Sequence, residues 1–259
     1  MEITIQNIKN KIEEADLVLI GIGDEFECLS YLNQDESYQK ACDEIRTQHL
    51  EEMMPYVNVH FLKEKKQQVL KALENLLKMV ENKNYFVVST CMNDFLTQVG
   101  FREDRIVEPC GNYKKMQCKH GCENSIIDTK PEFLQQISEC LHGNLQWEDV
   151  EYPVCEKCGE KMVFNSLYAE QYDENGYLDG WNTYMKWLQG TVNRKLCILE
   201  LGVGLKYPSV IRWPFEKTGY LNKKANFIRV HERLYQLTPE LKEQGYFIPQ
   251  NAVDVLNLG

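Results

Sequence analysis

Residues 15–26 read ADLVLIGIGDEF, an apolar run over 17–21 followed at once by Gly21, Ile22, Gly23 and Asp24. The run does not alternate polar and apolar residues, as expected of a strand covered by helices on both faces of a parallel sheet. Three more short runs share this character: 85–89 (YFVVS), 196–201 (LCILEL) and 227–230 (FIRV). Helical patterns lie between them. Residues 62–80 place Val69, Leu73, Leu76 and Val80 on one stripe with Lys, Glu and Gln opposite. Residues 180–188 carry Trp181, Tyr184 and Leu188 at helical spacing, and 38–53 reads more weakly as a helix. Strands alternating with helices predict an α/β fold with a Rossmann-like, doubly wound parallel sheet.

Glycines at a strand's end let the backbone come close to a pyrophosphate, and a following helix N-terminus favours the anion. Gly21 and Gly23 lack the third glycine of a dinucleotide fingerprint, so they suit a tight strand-to-loop turn equally well. A second pair, Gly202 and Gly204, ends the run LCILELGVG. Ligands of open parallel sheets bind beyond the carboxyl ends of the strands, so the two pairs are expected to flank one ligand.

The middle of the chain differs. Residues 113–163 hold five of the ten cysteines, with little long-range periodicity. This predicts a small module over 113–166, inserted into a core formed by 1–112 and 167–259. Cys118-Lys-His-Gly-Cys122 is followed after 32 residues by Cys155-Glu-Lys-Cys158-Gly159. Two such knuckles present four thiolates to one tetrahedral zinc, with Zn–S distances of about 2.3 Å. Four cysteines leave no open coordination position, so the zinc is expected to be structural. His120 is the one alternative ligand nearby. Cys140, in LQQISECLHG, reads as a member of an apolar helix face.

Composition narrows the function. The net charge of −10 argues against nucleic acid as a partner, because phosphate neutralisation needs clustered Lys and Arg. The run 63–66 (KEKK) reads as the solvated face of a helix. No stretch approaches the ~18 apolar residues of a membrane span, and the polar N-terminus does not resemble a secretory signal. A cytoplasmic location is expected, where thiols stay reduced and clustered cysteines serve as metal ligands or reactive groups.

With these residues in place, the pattern from about Ala15 onward resembles the sirtuins, a family of NAD-dependent protein deacylases and ADP-ribosyltransferases. The more specific part is 85–122, YFVVSTCMNDFLTQVGFREDRIVEPCGNYKKMQCKHGC. Sirtuins show here a strand ending in a Thr-Gln-Asn-x-Asp-type motif, then a helix, an Ala-Gly, a Glu-x-His-Gly-Asn/Ser motif and the first zinc cysteines. Gly21 and Gly23 resemble the family's Gly-Ala-Gly loop, and LELGVG its later Gly-Thr-Ser segment. Residues 199–216, with RWPFE, are closer to a divergent bacterial branch. The resemblance implies a Rossmann-like domain with an inserted zinc ribbon, and NAD as cofactor.

The departures fall on chemistry. The family's catalytic histidine corresponds to Cys110, and the asparagine and aspartate of its nicotinamide-ribose motif to Cys91 and Asn93, with Thr90 at the glutamine. Asp24 stands at the serine after the glycine loop, where a carboxylate repels a pyrophosphate. The arginine-bearing loop is not recognisable in ECLSYLNQDES. General acid–base assistance is typically worth 10²–10⁴-fold, so loss of the histidine weakens classical deacylation. The resemblance therefore implies catalysis through Cys110, Asn93 and Cys91, if any. Gly21, Gly23, Asp24, Thr90, Asn112, Gly202 and Gly204 would hold the cofactor. Cys91 and Cys110 are expected either as a reactive thiol pair or as small buried fillers. The implied reaction is ADP-ribosyl transfer, NAD glycohydrolysis or deacylation, with NAD or ADP-ribose and a modified protein as partners. The alternative is a catalytically inactive scaffold that binds a partner protein.

Overall fold

A computed structural model describes residues 1–258. The central strand β1 (Leu17–Ile22) pairs in parallel with β2 (Asn84–Ser89) on one side and β7 (Leu196–Leu201) on the other. The short β3 (Ile106–Val107) extends the sheet beyond β2, while β8 (Asn226–Val230) and β9 (Gly245–Ile248) extend it beyond β7. All six strands are parallel, in the order β3-β2-β1-β7-β8-β9.

The four sequence runs are the four inner strands. Residues 17–22 and 196–201 are buried throughout, because alternate side chains feed two cores. Val18, Ile20 and Ile22 join one cluster with helices Ile5–Glu14 and Glu64–Val80; Leu17 and Leu19 join the other with helices Asn175–Gln189 and Arg212–Leu221. The stripe Val69, Leu73, Leu76 and Val80 is buried as its spacing requires. The weak helix reading over 38–53 divides into a helix at Glu36–Thr47, capped by the Asp35 carboxylate, a short 3-10 turn, and a second helix Met54–Phe61 with Pro55 in its first turn. At two and four residues, β3 and β9 are too short to leave a sequence pattern.

A second, antiparallel sheet has the order β5-β4-β6, from β4 (Gly111–Cys118), β5 (Ile127–Asp128) and β6 (Met162–Ser166). Helix Pro131–Leu141 buries Phe133, Ile137 and Cys140 on one face, with Phe133 packed edge-on against Phe164 of β6. Those side chains, with Met116, Trp147 and Phe164, are continuous with the first core cluster of the large sheet.

Topology places the site. The chain runs from β1 outward to β2 and β3, then returns to β7 on the other side of β1. This reversal opens a crevice beyond the carboxyl ends of β1 and β7, where open parallel sheets take their ligands.

Candidate functional site

At the end of β4 and in the segment leading to β6, Cys118, Cys122, Cys155 and Cys158 bring four Sγ atoms within 4.8 Å of one another. Tetrahedral coordination at Zn–S of about 2.3 Å puts sulfurs about 3.8 Å apart. The Cys118–Cys158 pair stands at 3.5 Å. The amides of His120 and Cys122 point at the Cys118 sulfur, and that of Glu160 at Cys158. Gly121 and Gly159 hold positive φ of 66° and 75°, which lets each knuckle turn its amides inward. The donor set fits a structural zinc. His120 is exposed, 3.5 Å from the Glu160 carboxylate, and is not part of the cluster.

Gly23 of the first pair and Gly202 of the second meet in the crevice. The Gly23 N–H donates to Leu201 O at 3.0 Å, and Glu25 N–H to Gly202 O at 3.2 Å. A Cβ on Gly23 would run into the Gly202 carbonyl and the Val203 Cα, so only glycine lets the loops touch. Gly202 needs its own freedom, with φ of 60°. Gly21 serves packing instead, since it lies inside β1, where a Cβ would press on Ile211 and Phe215 of the covering helix.

Asp24 accepts the Gly204 N–H at 2.6 Å, and a Cβ on Gly204 would stand 2.5 Å from that carboxylate. A backbone amide at a strand's end, the kind of donor a phosphate uses, is thus held by a carboxylate of the same chain. Beside it, Glu25 accepts the amides of Glu232 and Ala252 at 2.8 and 2.7 Å, tying this turn to the loops that follow β8 and β9. Burial, and then the neighbouring Asp24 and Glu232 charges, push the Glu25 carboxyl up to about 7 against the pull of those amides. His231 Nδ1 accepts the amides of Arg233 and Leu234, and burial favours its neutral form.

These loops enclose a cavity of about 460 Å³ bounded by Asp24, Tyr31, Lys65, Gly204, His231 and Arg233, with Glu232 and Asp254 also on its wall. That volume suits a nucleotide. A buried ion network braces it from behind. Glu200 and Arg229 are cross-strand partners on β7 and β8, paired through both carboxylate oxygens at 2.6 and 2.9 Å. Glu216 joins Arg229 at 2.6 Å, and Arg212 reaches Glu200 at 3.2 Å. Arg212 also donates to the carbonyls of Val203 and Leu234, one on each loop that frames the cavity. The arginine and glutamate of RWPFE thus hold the loops in place.

The remaining candidates divide. Thr90 shares a small cavity of about 10 Å³ with Asp24, Glu27, Gly204 and Lys206. Cys91 is buried and donates its thiol to the Gly23 carbonyl at 3.1 Å. Cys110 is fully buried, and its pKa is pushed up to about 12, first by burial and then by the Glu27 charge. Burial, followed by Glu27, raises Cys91 as well. Both are free, and the burial that raises each pKa favours the neutral thiol of a small buried filler. Asn93 accepts the Phe95 N–H at 3.2 Å, a turn-forming contact, and borders another cavity of about 10 Å³ with Glu27 and Met92. Asn112 stands apart from the glycine loops. It bonds Glu108 at 2.7 Å in a different cavity, of about 300 Å³, beside Lys114, Asn165 and Tyr177.

Sequence reasoning missed Glu27, Lys206 and the Glu200–Arg229 pair. The last had a signal: each run, LCILEL and FIRV, carries one charged residue, and aligning them as neighbouring parallel strands sets the two opposite.

No family model matches the chain. A fungal protein, a "probable bifunctional ADP-ribose hydrolase/ADP-ribosyltransferase" of Fusarium oxysporum f. sp. cubense, is 27% identical over 121 residues, 45% of this chain. That match spans 20% of the fungal protein's length. A protein ADP-ribosyltransferase of Staphylococcus aureus (strain Mu50 / ATCC 700699) is 20% identical over 266 residues, covering 94% of this chain and 83% of the relative. Among solved structures, Sir2Tm bound to a propionylated peptide superposes with a TM-score of 0.53 at 12% identity, covering 99% of this chain and 97% of that one. Sir2 with a p53 peptide and NAD+ gives 0.54 at 13% identity, with the same coverage. Among the described residues, no helix is long and apolar enough to cross a membrane.

Proposed function

We propose that this chain, which has the sirtuin fold, binds NAD or ADP-ribose in the cavity at the β1–β7 switch point and transfers ADP-ribose from NAD to a protein nucleophile. The observation that carries the reading is the meeting of both glycine loops at the rim of a cavity of about 460 Å³. Lys65 and Arg233 in this cavity, and Lys206 in the small one beside it, supply the cations a pyrophosphate needs, while Glu232 and Asp254 can accept hydrogen bonds from ribose hydroxyls. The names of two relatives, both ADP-ribosyltransferases, support the same reaction class. Transfer requires the nicotinamide–ribose bond to break, with positive charge developing on the ribose; a cleft with carboxylates around it favours that charge. Of the residues inferred from resemblance, Asp24 and Gly204 line this cavity, Gly23 and Gly202 make the loop contact beside it, and Thr90 lines the small neighbouring cavity that shares Asp24 and Gly204. Deacylation is disfavoured, because the buried, protonated Cys110 is a poor base.

A second reading keeps a specific observation on its side. Asp24 already occupies the Gly204 amide, as expected if the loop serves a partner-binding scaffold and not a nucleotide. Incubation with NAD labelled on its adenine separates the two. Nicotinamide release, with label on a protein or in free ADP-ribose, supports transfer. No release and no retained label supports the scaffold.

A further inference from the structure

Glu27 sets a carboxylate in a small cavity that shares Asp24 and Gly204 with the larger one. It borders two small cavities at once. One leads past Asp24 and Gly204 with Thr90 and Lys206 on its walls; the other is bounded by Pro55, Met92 and Asn93. Each has a volume of about 10 Å³, close to the space one water needs. The Met92 N–H holds Glu27 Oε1 at 3.0 Å, which orients the carboxyl and leaves Oε2 as the oxygen to take a proton. Around it stand Asp24 on its own turn, Cys91 and Cys110 from the β2 and β3 loops, and Lys206 from the loop after β7. Neither cysteine can act as the base. Burial raises both thiols and disfavours their thiolates, and the Cys91 thiol donates to Gly23 O.

We propose that Glu27 is the general base of the reaction, accepting the proton of the water or hydroxyl that attacks the ribose of NAD. This rests on the reading of the crevice as an NAD-cleaving site. In the step, a bond forms between the acceptor oxygen and ribose C1′. The bond from C1′ to the nicotinamide nitrogen breaks, and its electron pair leaves with neutral nicotinamide. The acceptor proton passes to the Glu27 carboxylate and then to solvent. NAD and acceptor become nicotinamide, an O-ADP-ribosylated product and one proton, with no further reactant. Burial raises the pKa of Glu27, which makes it a stronger base than a solvated carboxylate, while Lys206 opposes the shift and favours the ionised form.

The test compares Glu27→Gln and Glu27→Asp with the natural chain, following NAD binding by calorimetry and nicotinamide release by chromatography. Glutamine keeps the acceptor for the Met92 amide, so the fold and NAD affinity should persist while release falls about 10²-fold or more. Aspartate should retain part of the rate. The natural chain's rate should rise with pH to a plateau, and that rise should vanish in Glu27→Gln. Release by Glu27→Gln within about threefold of the natural chain, with the same pH profile, would overturn the role of Glu27 and leave NAD cleavage standing. NAD binding by the natural chain without any release would overturn the base and the transfer reading while keeping nucleotide binding. A Glu27→Gln protein that folds but no longer binds NAD would also overturn the proposal, because Glu27 would then serve binding.

Discussion

The four-cysteine cluster and the glycine crevice are built by opposite means. Each pair in the cluster comes from a span of four or five residues, and two glycines with positive φ turn the amides onto the sulfurs. The crevice joins loops some 180 residues apart in the chain, and its electrostatics depend on which side chain reaches across. Local spacing specifies a metal site almost completely. It specifies a ligand cleft only as far as its backbone.

Zinc removal should have the largest effect, and it tests the local half of the comparison. Structural zinc contributes apparent binding free energies of about 10–16 kcal/mol in zinc-finger peptides at neutral pH. The apolar side chains around the antiparallel sheet are continuous with the main core. Cys155→Ser, or chelation of the natural chain, should therefore lower Tm by more than about 10 °C. Metal analysis on the same samples should fall from one zinc per chain towards zero. An unchanged Tm after complete metal loss would break the comparison, since the cysteines would then not hold the fold.

The long-range half is probed next by Glu200→Gln. Glu200 is fully buried between Arg229 and Arg212, and removing its charge leaves two guanidiniums with Glu216 alone. Breaking a buried pair typically costs about 3–5 kcal/mol, read as a shift in the urea midpoint. Because Arg212 also holds the carbonyls of Val203 and Leu234, any nucleotide affinity should fall in parallel.

Glu108 yields a pH dependence. Burial, opposed by Lys114, pushes its carboxyl up from 4.5 to about 8. Between those values the folded state keeps a proton that the unfolded chain has lost. Its contribution is therefore fully present below about pH 4.5 and lost as pH rises towards 8. Glu108→Gln can still accept the Asn112 amide and should remove this penalty. At pH 8 it should be the more stable protein, by roughly 4 kcal/mol in urea titrations. Equal pH slopes in the two proteins would contradict this.

Asp24→Asn is the smallest effect and the one that most sharpens the comparison. It keeps an acceptor for the Gly204 amide but removes a negative charge from the phosphate position. ADP-ribose affinity should rise about tenfold, or about 1.4 kcal/mol, at low salt, and by less as salt screens the charge. An unchanged or weaker affinity would place the phosphates elsewhere.

The sequence made the inner sheet legible because burial on both faces produces unbroken apolar runs. The cluster was legible because its ligands lie close together in the chain. Short β3 and β9 left no pattern, and Gly21 reads as a loop glycine although it makes room for Ile211 and Phe215. Whether Cys91 and Cys110 form a reactive pair depends on depth and hydrogen bonding, which spacing does not encode; the Cys91 thiol faces the Gly23 carbonyl. Glu27 lay unmarked in GDEFECL, because its importance comes from Met92 and Lys206, far along the chain.

The most direct test of nucleotide binding in the crevice is calorimetric titration of the zinc-loaded chain with ADP-ribose and with NAD, repeated on Gly23→Val. One saturable site per chain is expected for the natural protein. Gly23→Val should lose it, because its side chain would separate the two glycine loops. No binding heat from either ligand on a folded, zinc-replete protein would contradict the nucleotide site.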